Sequence, residues 1–355
     1  MKKYKLAVVG ATGLVGRTVL KILEERNLPI SEYTLFASKK SAGKKVDFMN
    51  TEYVVQELTE SSFDSVFDFA IFSAGGSTSK KYAPIAAYKG CIVVDNSSAF
   101  RMDKEVPLVV PEVNPEEIES NNGIIANPNC STIQAVVALK PLDDKYTIKR
   151  IVYSTYQAVS GAGRDGVLDL ENGVKNYLTD KAYLDSHYSN NSSEDEISEN
   201  NNHYELTKFP YPIFSNCLPH IDVFLENGYT KEEEKMINET RKILKKPDLR
   251  ITATTVRVPV FNSHSESINI EFENDFDMQD LVSTLRNSEG IIVQDDVANN
   301  IYPLAIEASG KDEVFVGRIR RDYSVPYGIN LWVVADNIRK GAATNAVQIV
   351  EKMCK

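Results

Sequence analysis

A strand that breaks on three spaced glycines and reopens as a helix constrains this chain more than any other feature. Lys5-Leu6-Ala7-Val8-Val9 is an apolar run of strand length. It enters Gly10-Ala11-Thr12-Gly13-Leu14-Val15-Gly16, after which Leu14, Val15, Thr18, Val19, Ile22 and Leu23 recur at helical spacing. Gly10 allows the tight turn, Gly13 lets the backbone approach a pyrophosphate, and Gly16 lets the helix pack close to the strand. Glycine-rich strand ends are common, so the spacing alone says little. The order strand, turn, helix is the context a dinucleotide fingerprint requires.

The strands that follow extend this reading. Tyr33-Thr34-Leu35-Phe36-Ala37-Ser38 is the second, and Lys39-Lys40-Ser41-Ala42-Gly43 comes after it. NAD sites usually carry Asp or Glu here to hold a ribose hydroxyl. Ser38, Lys40 and Ser41 stand there instead, and cations with hydroxyls suit the extra phosphate of NADP; a solvated lysine pair is the plainer alternative. Phe69–Phe72 is a third strand, ending in the small polar run Ser73-Ala74-Gly75-Gly76-Ser77-Thr78-Ser79. Ile92–Val94 is a fourth, ending in Asp95-Asn96-Ser97-Ser98-Ala99-Phe100-Arg101. Such runs line the crevice where parallel sheets bind ligands. Arg101 is suited to clamp an anion bidentately, and read alone it is equally a surface arginine.

Chemistry enters at Ala126-Asn127-Pro128-Asn129-Cys130-Ser131-Thr132-Ile133-Gln134. A Pro-Asn turn precedes the cysteine, and the apolar run Ile133 to Leu139 follows it, so a loop opens into a helix at Cys130. A thiol there meets the positive end of a helix dipole and unpaired N–H groups, which favour the nucleophilic thiolate. An average free cysteine is only a small buried hydrophobe. A thiol beside a nicotinamide, however, points to aldehyde oxidation through a thioester.

From Arg150 the pattern changes to long alternating strands. Ile151, Tyr153, Thr155 and Gln157 share one strand face, and Ser160-Gly161-Ala162-Gly163 follows. Val256, Val258 and Val260 are expected on an apolar face with Arg257 on the other, and Ile268, Ile270 and Phe272 repeat the alternation. These strands predict an α+β domain whose sheet supports an oligomer interface. Thr230 and Glu233 form a capping-box pattern for a helix over Thr230 to Lys245. On it Glu232 and Lys235 read as a surface ion pair. His264, between two strands and seven positions after Arg257, exchanges protons near neutral pH. Ser186 to Asn202 is a polar stretch to which no chemistry is assigned. A last helix is expected from about Asn337.

A net charge of -10 argues against a nucleic-acid surface. No apolar run reaches the ~18 residues of a membrane span, and Met1 leads straight into a strand without a leader pattern. Cys91, Cys130, Cys217 and Cys354 are scattered, which fits a reducing cytoplasm. The four histidines show no metal-ligand spacing, so no metal is expected.

Taken together, Gly10–Gly16, Ser73–Ser79, Asp95–Arg101, Asn127–Gln134, Ser154–Gly163, Arg257–Ser267 and the tail from Leu331-Trp332 to Asp336–Ala343 resemble the aspartate-β-semialdehyde dehydrogenase family. The Asn-Pro-Asn-Cys-Ser-Thr and His-Ser-Glu-Ser runs are its specific marks. The resemblance implies an α/β chain with a Rossmann-type NADP-binding domain over 1–129, joined by the C-terminal helix 337–355. It implies an α+β catalytic and dimerisation domain with a mixed sheet over 130–336. It also implies roles. Cys130 carries the acyl group, His264 is the acid/base, and Gln157 orients the carbonyl. Arg257 pairs with the substrate carboxylate and Glu232 with its amino group, while Arg101, Asn129 and Lys235 bind phosphate. Thr12, Gly13, Leu14, Val15, Lys40, Ser41, Ser160, Gly161 and Asn337 touch NADP, with Gly10, Ser38, Ser73 and Gly75 in the same crevice. The implied substrates are aspartyl phosphate, aspartate semialdehyde and phosphate, in lysine, methionine and threonine synthesis, and the implied assembly is a homodimer or homotetramer. Two alternatives stay open: N-acetyl-γ-glutamyl-phosphate reductase, expected to carry glycine and tyrosine around the cysteine, and a non-catalytic NADP-binding homologue.

Overall fold

The computed structural model describes residues 2–179 and 206–354, so the polar run Ser186–Asn202 lies outside the described residues. The first sheet begins with β1 (Tyr4–Val9) and β2 (Ile30–Ala37). A separate hairpin, β3 (Lys45–Phe48) with β4 (Thr51–Val54), interrupts it. It continues with β5 (Gln56–Glu57), β6 (Phe69–Phe72), β7 (Ile92–Asp95) and β8 (Ile124–Ala126). All pairings are parallel and the order is β5-β2-β1-β6-β7-β8. That is the 3-2-1-4-5-6 order of a Rossmann-type sheet, which opens a ligand crevice where the order reverses, between β1 and β6. Leu6–Val9 and Phe69–Phe72 are buried throughout, because both faces of the sheet are covered.

Helix α1 (Leu14–Arg26) follows the glycine turn. Gly10 has φ +85°, and a Cβ there would lie 2.7 Å from the Ser73 carbonyl oxygen. A Cβ on Gly16 would lie 2.1 Å from the Gly10 oxygen. No side chain fits either position. Helix α2 (Gly76–Tyr88) starts after β6.

The second sheet is mixed, in the order β10-β9-β11-β14-β13-β12. β9 (Ile148–Gln157) runs parallel to β10 (Arg250–Arg257), and β12 (Ile291–Val293) parallel to β13 (Val314–Asp322). β11 (His264–Phe272) is antiparallel to β9 and to β14 (Gly328–Ala335), which is antiparallel to β13. Helix α3 (Cys130–Tyr146) packs on the inner face of this sheet and against the C-terminal segment. Its run Ile133–Leu139 is buried on every side, as expected of a helix apolar all round. Helix α4 (Arg164–Thr179) follows β9. Helix α5 (Lys231–Ile243) carries the capping box: Thr230 Oγ1 accepts from Glu233 N–H, and Glu233 accepts from Thr230 N–H.

Two expectations are corrected. Arg257 does not lie on an outer face. It shares the buried face of β10 with Ala253 and Thr255, while Val256 is the half-exposed neighbour and Val258 and Val260 fall beyond the strand end. The C-terminal segment is also not one helix from Asn337. A π-helical turn, Arg339–Thr344, comes first, and α6 (Asn345–Met353) follows and packs on α1 and the first sheet.

Candidate active site

Cys130 is the first residue of α3, and Asn129 is its cap. Asn129 Oδ1 accepts the Ser131 and Thr132 N–H groups at 3.0 and 3.3 Å, two donors that a helix start leaves unpaired. Its own N–H donates to Glu239 Oε2 at 2.6 Å, and its Nδ2 donates to Glu232 Oε1 at 2.8 Å. Two carboxylates from α5 thus fix the loop that carries the thiol. Cys130 is free and half-buried. Burial, then the Glu232 carboxylate, pushes its thiol up to about 12, although Arg257, Arg101 and the Ser131 N–H pull the other way. The Ser131 N–H at the helix start favours the anion, as its position in the sequence suggests, but does not outweigh the anion's desolvation.

His264 is fully buried at the start of β11. Its Nδ1 accepts the Ala158 N–H at 3.0 Å. A neutral imidazole so held carries its proton on Nε2, and Nε2 has no protein partner. Burial, then the Arg257 charge, holds the ring well below its ordinary pKa, so the neutral form prevails at pH 7.

Arg257 is buried as well. Nη1 donates to the Ala158 oxygen at 2.7 Å, and Nε is left without a partner. A Cβ on Gly161 would sit 2.8 Å from Arg257 Nη1 and 3.2 Å from His264 Nε2. That close approach brings the turn Val159–Ala162 against both groups. Gln157, at the end of β9, donates through Nε2 to Glu232 Oε1 at 3.3 Å. Glu232 is buried, so its pair with Lys235, 3.1 Å away, is not the surface pair that the spacing predicts. Lys235 also reaches Asp222 at 2.7 Å. Burial pushes Glu232 up, but Lys235, the Asn129 amide and Arg257 together hold it below the usual carboxylate range. Cys130, Gln157, Glu232, Arg257 and His264 thus converge on one site.

Arg101 is buried and fully committed on one edge. Its Nε donates to Asn127 O, its Nη2 to Asn96 O and its Nη1 to Glu239 Oε1, at 2.8, 3.1 and 3.1 Å. With Lys235, Lys231 and Lys80 it lines a cavity of about 530 Å³. A second cavity, of about 560 Å³, lies at the glycine turn and is lined by Gly10, Thr12, Gly13, Ser38, Ser73 and Tyr82, with Lys39. Leu14 and Val15 open α1 beside it. Gly75 caps α2 at φ +87° with open space where a Cβ would stand. Lys40 and Ser41 follow Lys39 on the 3₁₀ turn Lys39–Ser41. Ser160 and Asn337 bond to each other at 3.1 Å, and Asn337 also accepts the Ser263 N–H at 2.9 Å, next to His264.

The chain as a whole resembles known proteins. A family model for the semialdehyde dehydrogenase NAD binding domain matches residues 5–121, and one for the semialdehyde dehydrogenase dimerisation domain matches 139–340. The aspartate-semialdehyde dehydrogenase of Aquifex aeolicus is 54% identical over 355 residues, covering 99% of this chain and 98% of the relative. The chain belongs to the aspartate-semialdehyde dehydrogenase family. The solved structure of aspartate semialdehyde dehydrogenase II from Vibrio cholerae, complexed with ASA, matches with a TM-score of 0.87 at 44% identity, over 99% of this chain and 98% of that one. The Candida albicans aspartate semialdehyde dehydrogenase, solved with NADP, matches with a TM-score of 0.72 at 25% identity, over 99% and 98%.

In this member of the aspartate-semialdehyde dehydrogenase family, sequence reasoning missed Lys39, Glu239, Glu266 and Gly341. Glu239 had a signal: it lies seven residues after Glu232, two helical turns along the same face of α5. Glu266 had only its place in the alternation of β11, two residues after His264. It is fully buried and neither carboxyl oxygen has a partner. Burial, then Glu232, pushes its carboxyl well above the ordinary range. A raised pKa means that the folded state keeps a proton the unfolded chain loses, so stability falls as pH rises toward the folded value. Glu266→Gln is neutral in both states. Its melting temperature should exceed that of the wild type at about pH 8–9, and the gap should narrow toward about pH 5. Thermal unfolding over that range checks this, and a gap independent of pH would mean that Glu266 does not titrate in the fold. Among the described residues no group of three or more His, Cys, Asp or Glu is placed to hold a metal ion, and no helix is long and apolar enough to cross a membrane.

Proposed function

We propose that the chain interconverts L-aspartyl 4-phosphate and L-aspartate 4-semialdehyde plus phosphate through a thioester on Cys130, using NADP, in lysine, methionine and threonine synthesis. The observation that carries this reading is one site holding a thiol at a helix start, an imidazole with a free Nε2–H, and a buried guanidinium with an unpartnered Nε. In the reductive direction Arg257 grips the α-carboxylate and Glu232 the amino group, and Gln157 orients the acyl carbonyl. The Cys130 sulfur bonds to the acyl carbon and the carbon–oxygen bond to phosphate breaks. His264 Nε2 already holds a proton, so the thiol proton leaves on the phosphate, which Arg101, Asn129 and Lys235 receive. When bound, the reduced nicotinamide supplies a hydride to the acyl carbon. His264, for which the resemblance implies an acid/base role, acts here on the acid side: its Nε2–H donates to and steadies the resulting hemithioacetal oxyanion. Collapse frees the aldehyde, and the Cys130 sulfur regains a proton from solvent. Splitting one difficult step into two is what the covalent nucleophile contributes.

The residues fit a dinucleotide, because the cradle at Gly10 and Gly16 leaves no room for side chains and the cleft beside it is large. Thr12 to Val15, Ser73, Gly75, Ser160, Gly161 and Asn337 would hold it. The 2′-phosphate is assigned to Ser38, Lys40 and Ser41, joined by Lys39 on the cleft wall. Lys39→Glu and Lys40→Glu should each raise the Kd for NADP by roughly tenfold or more, the worth of one charged contact, and leave NAD binding nearly unchanged. Equal losses for both cofactors in a binding titration would reduce the lysines to surface charges.

The division into a nucleotide-binding part over 1–129, closed by the C-terminal segment, and a catalytic part over 130–336 follows the two sheets. Tyr156 and Trp332 of the second sheet line one surface cavity with Tyr302 and Leu304 of the segment between β12 and β13, and we assign this face to a homodimer or homotetramer contact, separable by light scattering. NADPH consumption with aspartyl phosphate tests the reaction. Consumption only with N-acetylglutamyl phosphate, or with neither, would replace it by the related reductase or by a non-catalytic role.

A further inference from the structure

The C-terminal π-helical turn stands in contact with the nucleophile. A Cβ on Gly341 would lie 2.8 Å from Cys130 Cβ and 3.3 Å from Cys130 Cα, so the glycine lets two backbones meet where no other residue fits. The turn is π because Gly341 N–H bonds back to Asp336 O and Ala343 N–H to Ile338 O, five residues each. Such turns are rare and concentrate at functional sites.

The turn is anchored from both halves of the molecule. Lys340 is almost fully buried, which is unusual for lysine. Its Nζ reaches Glu112 at 2.6 Å, Gln348 at 2.8 Å and Asn345 at 3.0 Å. Asn345 in turn donates to Asn127 Oδ1, three residues before Cys130, and to Val109 O. At the other end of the segment Asn337 holds Ser160 and Ser263, beside His264. The segment Asn337–Asn345 therefore connects the nucleotide-binding sheet, the histidine loop and the thiol.

We propose that Gly341 and the Lys340–Glu112 pair are positioning residues that set Cys130 against His264 through the π-helical turn. The proposal rests on Cys130 being the nucleophile. It differs from a purely structural role in what it predicts for kinetics. Gly341→Ala forces Cys130 away, and a displacement near 1 Å costs about 100-fold in turnover. We expect that loss in kcat, with KM for aspartate semialdehyde and NADP affinity held, and a changed rate of Cys130 alkylation at fixed pH. Wild-type kcat and alkylation in a folded Gly341→Ala would overturn the proposal. Should that variant fail to fold, Lys340→Met with Glu112→Met decides instead, since an apolar pair of similar volume often replaces a buried ion pair at little cost in stability. The double variant should melt near the wild type and still lose kcat at unchanged KM; full kcat would reduce the pair to a structural anchor. An inactive wild type, in contrast, would remove the proposed reaction itself.

Discussion

Cys130→Ser should lower turnover on the order of 10⁴-fold or more, the scale at which loss of a covalent nucleophile acts, while NADP binding and the melting temperature stay near the wild type. The reason is local. Even the thiol is pushed up to about 12 in this site, and a hydroxyl is far harder to ionise in the same surroundings. Arg257 and Arg101 stabilise the attacking anion but cannot close that gap. The neutral His264, with Nδ1 occupied by the Ala158 N–H, cannot take the hydroxyl proton at Nε2 either. Size is no confounder, because the smaller oxygen leaves Gly341 and the helix cap undisturbed. Single-turnover assays with aspartyl phosphate, together with a search for acylated enzyme by mass spectrometry, check the result. Turnover near the wild type would remove the thioester from the mechanism.

The glycine turn and the helix start at Cys130 were legible because local rules govern them. Gly10 and Gly16 answer to clashes within a few residues or across one neighbouring strand, and the cap at Asn129 is a contact with the amides two and three residues on. The capping box at Thr230 was legible for the same reason. Arg257 shows where such rules stop. Alternation tells which residues share a face, but not which face a helix covers. The valines at 256, 258 and 260 suggested the wrong side because two of them lie beyond the strand. Glu239 shows a second limit: its partners at 101 and 129 are joined only by the tertiary fold. The seven-residue spacing from Glu232 puts Glu239 on the same face of α5, but it does not say which residues that face meets. The π-helical turn is a third case. Its period differs from an α-helix by a single residue, and the contact with Cys130 that requires Gly341 lies more than 200 positions away in sequence.

Arg257→Lys should raise the Michaelis constant for aspartate semialdehyde roughly ten- to hundredfold, the worth of a charge-assisted contact of about 1.5–3 kcal/mol. The buried position strengthens the case that β10 alternation first obscured. The guanidinium is held by its Nη1 bond to Ala158 O, backed by Gly161, and set 6.0 Å over the Phe209 ring. Its Nε has no protein partner. A buried donor without a partner is costly, and a substrate carboxylate that accepts from Nε and the second terminal nitrogen would relieve that cost. Lysine keeps the charge but offers one point of contact on a flexible stem, so it cannot satisfy Ala158 O and hold a carboxylate in the same plane. Because Arg257 also neighbours Cys130 and His264, some fall in kcat is expected, but the larger change belongs in KM. Affinity for NADP should hardly move, since the glycine-turn cleft is built from other residues. Steady-state kinetics on a variant with a normal melting temperature decide the matter. An unchanged Michaelis constant would mean that Arg257 serves only the sheet and the Ala158 turn.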